Sequence, residues 1–102
     1  MTMLHIVNKS PFEKSTLDSC LRYAPDGSSV LLIEDGVYAA LKGTSVAEKL
    51  AGFLETLKVY VLEPDLKARG MDESRLLEGV ELLDYGGFVD LTVSHDIVQS
   101  WL

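Results

Sequence analysis

The sequence holds a single cysteine, Cys20, so no disulfide can form within it. It has no stretch near the about 18 consecutive apolar residues that a membrane-spanning helix needs. Its first residues, MTMLHIVNKSP, lack the basic segment and apolar segment of a secretory leader. With an unpaired thiol and no leader, the expected compartment is the cytoplasm. Bases are scarce: 9 Lys and Arg stand against 16 Asp and Glu, for a net charge of −7, and they form no block. A surface of that sign repels phosphate backbones and anionic lipid, so neither direct nucleic-acid binding nor membrane binding is expected. No G-x-G-x-x-G follows the first strand-like run and no G-x-x-x-x-G-K-[ST] occurs, so nucleotide phosphates would find no glycine cradle. His5 and His95 have no second ligand-type residue at metal spacing and read as structural groups. Neither a cofactor nor a metal is expected.

The 102 residues fit one domain spanning 1–102. Met3–Val7 reads as a strand, with β-branched Ile6 and Val7. Ser10, Pro11 and Glu13 form a capping box for a helix that places Leu17, Cys20, Leu21 and Ala24 on one face and ends at Pro25-Asp26-Gly27. Val30–Ile33 reads as a buried strand, followed by a short helical piece over Val37–Leu41. Ser45 and Glu48 form a second capping box, and Val46, Leu50, Phe53, Leu54 and Leu57 trace its helical stripe. Lys58–Leu62 is a third strand, and Pro64 opens a short helix closed by Gly70. Residues 71–77 read as one more turn and Val80–Leu83 as a fourth strand. Gly86-Gly87 breaks the chain before a helix over Phe88–Val93, and the tail carries Ile97, Val98, Trp101 and Leu102. Strands alternating with helices, two of them apolar throughout, predict an α/β fold. It is a small three-layer parallel sheet of about four strands with helices on both faces.

In such folds ligands sit beyond the carboxyl ends of the strands. Those ends are Asn8, Glu34-Asp35, Glu63 and Asp84, an acidic rim. A Mg²⁺-binding receiver domain needs an acidic pair after the first strand and an Asp after the third. Asn8-Lys9 and Glu63-Pro64 stand there instead, so Glu34, Asp35 and Asp84 are expected to cap the helices that follow. Cys20 lies well inside its helix, away from the N-terminal dipole, and shares an apolar face with Leu17 and Leu21. Local physics reads it as a small buried hydrophobe. A thiol on a helix face can also meet a partner subunit's site, so both roles stay open.

Four stretches carry a resemblance: MLHIVNKSPF (Met3–Phe12), LLIEDGVYAAL (Leu31–Leu41), KVYVLEPDLKARG (Lys58–Gly70) and DYGGFVDLTVSH (Asp84–His95), with Trp101 near the end. Together and in this order they resemble the DsrH/TusB family, with Met1-Thr2 as an extension. The resemblance implies a small α/β subunit of a sulfur-relay heterohexamer containing two copies each of this chain, a DsrE/TusD-like chain and a DsrF/TusC-like chain. It implies that the main active cysteine belongs to the DsrE/TusD-like partner, which passes persulfide sulfur to a DsrC/TusE-like carrier. A cysteine in this helix is a feature of the DsrH branch, so Cys20 points to dissimilatory sulfur oxidation and is a candidate persulfide acceptor. The alternative is a TusB-type subunit of the relay for tRNA 2-thiouridine synthesis, acting only as a scaffold. Whether the chain is itself catalytic is left open by its residues.

Overall fold

Ser29–Leu32 is buried at every position, which places this apolar segment at the middle of a sheet. A computed structural model describes residues 3–10 and 16–101. Among them, five strands form one parallel sheet: β1 (Met3–Val7), β2 (Ser29–Leu32), β3 (Lys58–Leu62), β4 (Glu81–Leu83) and β5 (Ile97–Trp101). Their order is β4-β3-β2-β1-β5. The predicted β1 and β3 coincide with the observed strands; β2 is shifted by one residue, and β4 starts one residue later than expected. The fifth strand is the departure from the expected four: the tail pairs with β1, aligning Met3 with Ile97 and Val7 with Trp101.

The first three crossovers step the same way across the sheet, from β1 to β4. Because parallel crossovers are right-handed, their helices lie on one face. They are α1 (Thr16–Tyr23), α2 (Ser45–Ala51) and α3 (Glu63–Ala68), with a 3-10 helix over Glu34–Ala40. Leu17, Cys20 and Leu21 of α1, Leu50 of α2 and Leu66 of α3 pack with Val7, Val30, Val59 and Val61 in one core cluster. The fourth crossover runs back over the whole sheet to β5, so α4 (Tyr85–Ser94) lies on the opposite face. Alternation sends the buried Leu4 and Leu31 to that second face. The three layers are therefore unequal, with several helices on one side and one on the other.

Three local expectations change. Pro11 and Glu13 of the first capping box, and Leu102 of the tail, lie outside the described residues. α2 is capped by Thr44, not Ser45: the Thr44 hydroxyl accepts from the Ala47 N–H at 3.0 Å. The helix stops at Gly52, so the predicted stripe continues through turns to the buried Leu57. Gly86 and Gly87 do not break the chain but form the first turn of α4. A side chain on Gly87 would come within 3.1 Å of Leu83 Cδ2, and its N–H is the group that Asp84 caps at 2.7 Å. Small residues here let the strand end and the helix start nearly touch.

Candidate functional site

Cys20 faces the sheet from α1 and is 0% exposed. Burial pushes its thiol from 9.0 up to about 12, and loss of solvent is the cause. The thiolate is the nucleophilic form. At pH 8 a thiol with that value is ionised in only about one molecule in ten thousand. Arg22 lies on the exposed side of the helix. The chain alone thus supplies neither access nor activation to its one sulfur nucleophile.

The two histidines are held by protein groups. His5 lies on β1 with 2% exposure, and Trp101 on β5 donates its indole N–H to His5 Nδ1 at 3.0 Å. That bond requires Nδ1 to be unprotonated, which leaves the proton on Nε2, a buried atom without a partner among the described residues. His95 follows α4. Its Nδ1 is 2.7 Å from the Leu91 carbonyl, so it donates there, and Nε2 accepts from the Ser29 hydroxyl at 2.9 Å. His95 thereby ties the end of α4 to the central strand.

Burial lowers the His5 pKa below 6.5. In acid the folded chain then binds fewer protons than the unfolded chain, whose histidine titrates normally. His5 adds no destabilisation above about pH 6.5, and stability falls as the pH drops through that value toward the folded one. Protonation at Nδ1 would also break the Trp101 bond. Urea titrations at pH 7.5 and 5.5 are expected to show this loss, and His5→Gln should make it smaller. Trp101→Phe should cost about 1–3 kcal/mol at neutral pH, because it leaves a buried acceptor unpaired. An acid-induced loss identical in wild type and His5→Gln would refute the assignment.

At the carboxyl ends of the strands, the acidic rim is largely committed to the fold. Asp84 caps α4, as expected from sequence. Glu34 and Asp35 do not cap: Ile33 occupies the cap position without a side-chain bond. The free N–H of Glu34 is instead satisfied by Asp65 Oδ2 at 2.8 Å. Asp35 accepts from Arg69 Nε at 2.9 Å, and the same guanidinium donates to the Asp65 carbonyl at 3.1 Å. Two carboxylates and one arginine thus lock the 3-10 helix to α3. Among the described residues no group of three His, Cys, Asp or Glu side chains is placed to hold a metal, and no helix is long and apolar enough to cross a membrane.

The surface with the most unmet hydrophobic character is α4. None of its residues is buried. Tyr85, Val89 and Val93, at i, i+4 and i+8, make a stripe on the side away from the sheet, with exposures of 60%, 58% and 79%. Ile97 and Val98 of β5, which among the described residues is an edge strand paired only with β1, are also exposed. A helix with apolar residues on both sides, next to an open sheet edge, is what a chain presents when another protein completes its third layer. Sequence periodicity places a helix here but not its outward stripe, because the Gly86-Gly87 break cuts Tyr85 from the expected Phe88–Val93.

A family model described as "DsrH like protein" matches residues 9–98. Protein TusB of Pectobacterium parmentieri is 40% identical over 99 residues, covering 97% of this chain and all of that protein. Protein TusB of Escherichia coli K12 is 37% identical over the same share of both. Among solved structures, the ychN protein of E. coli superposes with a TM-score of 0.84 over 98% of each chain, at 20% identity, a likeness of fold alone. The branch that Cys20 suggested is thus not the one whose name these full-length relatives carry. With a family model matching residues 9–98 and relatives matching nearly its whole length, the chain belongs to the DsrH-like family.

Proposed function

We propose that this chain is a TusB-type subunit of a cytoplasmic sulfur relay for tRNA 2-thiouridine synthesis, and that it positions related α/β partners rather than carrying sulfur. The observation behind this reading is that its only thiol is fully buried with its pKa raised to about 12. What the surface offers instead is the apolar face of α4. The names of the full-length relatives support the TusB branch over sulfur oxidation. In this reading the partners are DsrE/TusD-like and DsrF/TusC-like chains, two copies of each in a heterohexamer. The active cysteine belongs to the first of these, and a DsrC/TusE-like protein receives the sulfur.

The competing reading makes Cys20 an acceptor: its thiolate attacks the outer sulfur of a donor persulfide, and the donor thiolate leaves as that S–S bond breaks. It requires a partner to lift α1 from the sheet, because no solvent path reaches the thiol.

Mass spectrometry of each subunit in the co-expressed complex, after treatment with a persulfide donor, separates the two. The expected result is a gain of about 32 Da on the DsrE/TusD-like chain and none on this chain between about pH 6 and 9. Cys20→Ser should cost about 1 kcal/mol of stability and leave sulfur transfer intact. Persulfide on Cys20, or loss of transfer from an assembled Cys20→Ser complex, would establish the acceptor role. A chain that stays monomeric beside those partners would refute the subunit reading altogether.

A further inference from the structure

At the sheet edge remote from β5, two adjoining cavities of about 290 and 530 Å³ share Asp72, Glu73 and Leu82. Together they form a groove beside β4. Its apolar surface comes from Leu66 and Met71 in one cavity, Leu77 and Val80 in the other, and Leu82 in both. Its charged surface comes from four carboxylates, Glu63, Asp72, Glu73 and Glu78, and one cation, Lys67. Two cations stand close by, and both are engaged: Lys67 with Glu63 at 3.4 Å, and Arg75, which donates to Met71 Sδ at 3.3 Å. The wall is held in place from behind. Leu76 bridges Leu41, the Leu77 N–H donates to the Ala40 carbonyl and the Lys42 N–H to the Arg75 carbonyl, each at 2.8 Å. β4 pairs only with β3, so among the described residues its outer backbone edge has no strand partner.

We infer that this groove receives an extended segment of another protein that carries both aliphatic residues and Lys or Arg at every second position, on the one face that meets the groove. Such a segment adds a strand to β4, sets its aliphatic side chains over Leu77, Val80 and Leu82, and brings its cations to the acidic rim. The charge pattern selects this occupant. After Arg75 the sequence has no Lys or Arg but five carboxylates, from Glu78 to Asp96. A second copy of the chain would therefore offer a β5 strand with no cation of its own, and its net charge of −7 would oppose the approach. Nucleic acid is repelled by the same rim. The inference does not rest on the sulfur-relay reading and survives its failure.

The test is titration of the ¹⁵N-labelled full chain with a short, end-blocked peptide that carries Val and Lys in turn at every second position, with Thr between them. Amide shifts are expected to concentrate between Met71 and Leu83, and binding should weaken at least tenfold from about 50 to 300 mM salt. A peptide with Glu in place of Lys should bind at least tenfold more weakly. Glu73→Lys with Glu78→Lys should lose at least tenfold in affinity for the Lys peptide, and Glu73→Gln with Glu78→Gln serves the same purpose should the reversal unfold the chain. Shifts centred on α4 or β5, no binding at millimolar peptide, or equal binding of the Glu peptide would overturn the proposal.

Discussion

Val89→Glu combined with Val93→Lys is expected to abolish assembly with the partner subunits while leaving the isolated chain as stable as before. Both positions are more than half exposed, and surface substitutions of that kind change stability by about 0.5 kcal/mol or less. The pair is chosen to favour the helix: Glu four residues before Lys gives an attractive i, i+4 contact, and Lys in the last turn of α4 suits the helix dipole. In an assembled interface the same two side chains would lose their water without gaining designed partners. Central apolar contacts of interfaces carry about 2 kcal/mol or more each, and stranding charges there adds to the penalty. A loss of at least a thousandfold in affinity is therefore expected, read as dissociation of the co-expressed subunits on sedimentation with an unchanged melting temperature for the chain alone. A complex that survives the double substitution would show that α4 is not an interface.

Gly36→Ala should produce the largest loss of stability of any single methyl addition considered. A Cβ on Gly36 would fall 2.4 Å from the Val7 carbonyl oxygen and 3.1 Å from its carbon. Those are backbone atoms of a central strand, and the same oxygen accepts from the Ile33 N–H at 3.0 Å, so nothing nearby can rotate away. Overpacking costs about 1–3 kcal/mol where side chains can adjust; here about 3 kcal/mol or more is expected. For a domain of this size that lowers the melting temperature by about 12 °C or more. Gly27→Ala is the contrast. Gly27 has φ +86 but open space around its would-be Cβ, so only the backbone strain remains, about 1 kcal/mol. Equal melting temperatures for the two variants would contradict the contact geometry.

What the sequence revealed and what it hid divide along a physical line. Apolar runs with β-branched residues, such as Met3–Val7 and Lys58–Leu62, announce strands because at least one face of each is buried in the core. β5 did not announce itself: Gln99 and Ser100 interrupt its apolar residues, and an edge strand that remains exposed needs no continuous apolar run. The Thr44 cap and the start of α4 were displaced because Ser45 and Gly86-Gly87 carry the stronger local signals, while the actual bonds depend on where the preceding segment enters. Cys20 was legible as a residue on a buried helix face from its spacing to Leu17 and Leu21. The His5–Trp101 bond was not, since its partners lie at opposite ends of the described chain and meet only through the register of β1 with β5. Nor was the use of Asp65 in place of Glu34 or Asp35, a contact made between separate crossovers.

The pairing of Met3–Val7 with Ile97–Trp101 also governs how the chain comes into being. A ribosome releases β1 before the other four strands, yet β5, the strand on one flank of β1, emerges after all of them. During synthesis the sheet can grow from β1 through β2 and β3 to β4, while the other edge of β1 keeps its backbone N–H and C=O groups unpaired. Closing so long a loop is slow, and an unpaired strand is a template for wrong partners in the meantime. Translation that stalls before residue 97 would therefore yield not a nearly finished domain but a sticky nascent chain, a natural client for chaperones and proteases.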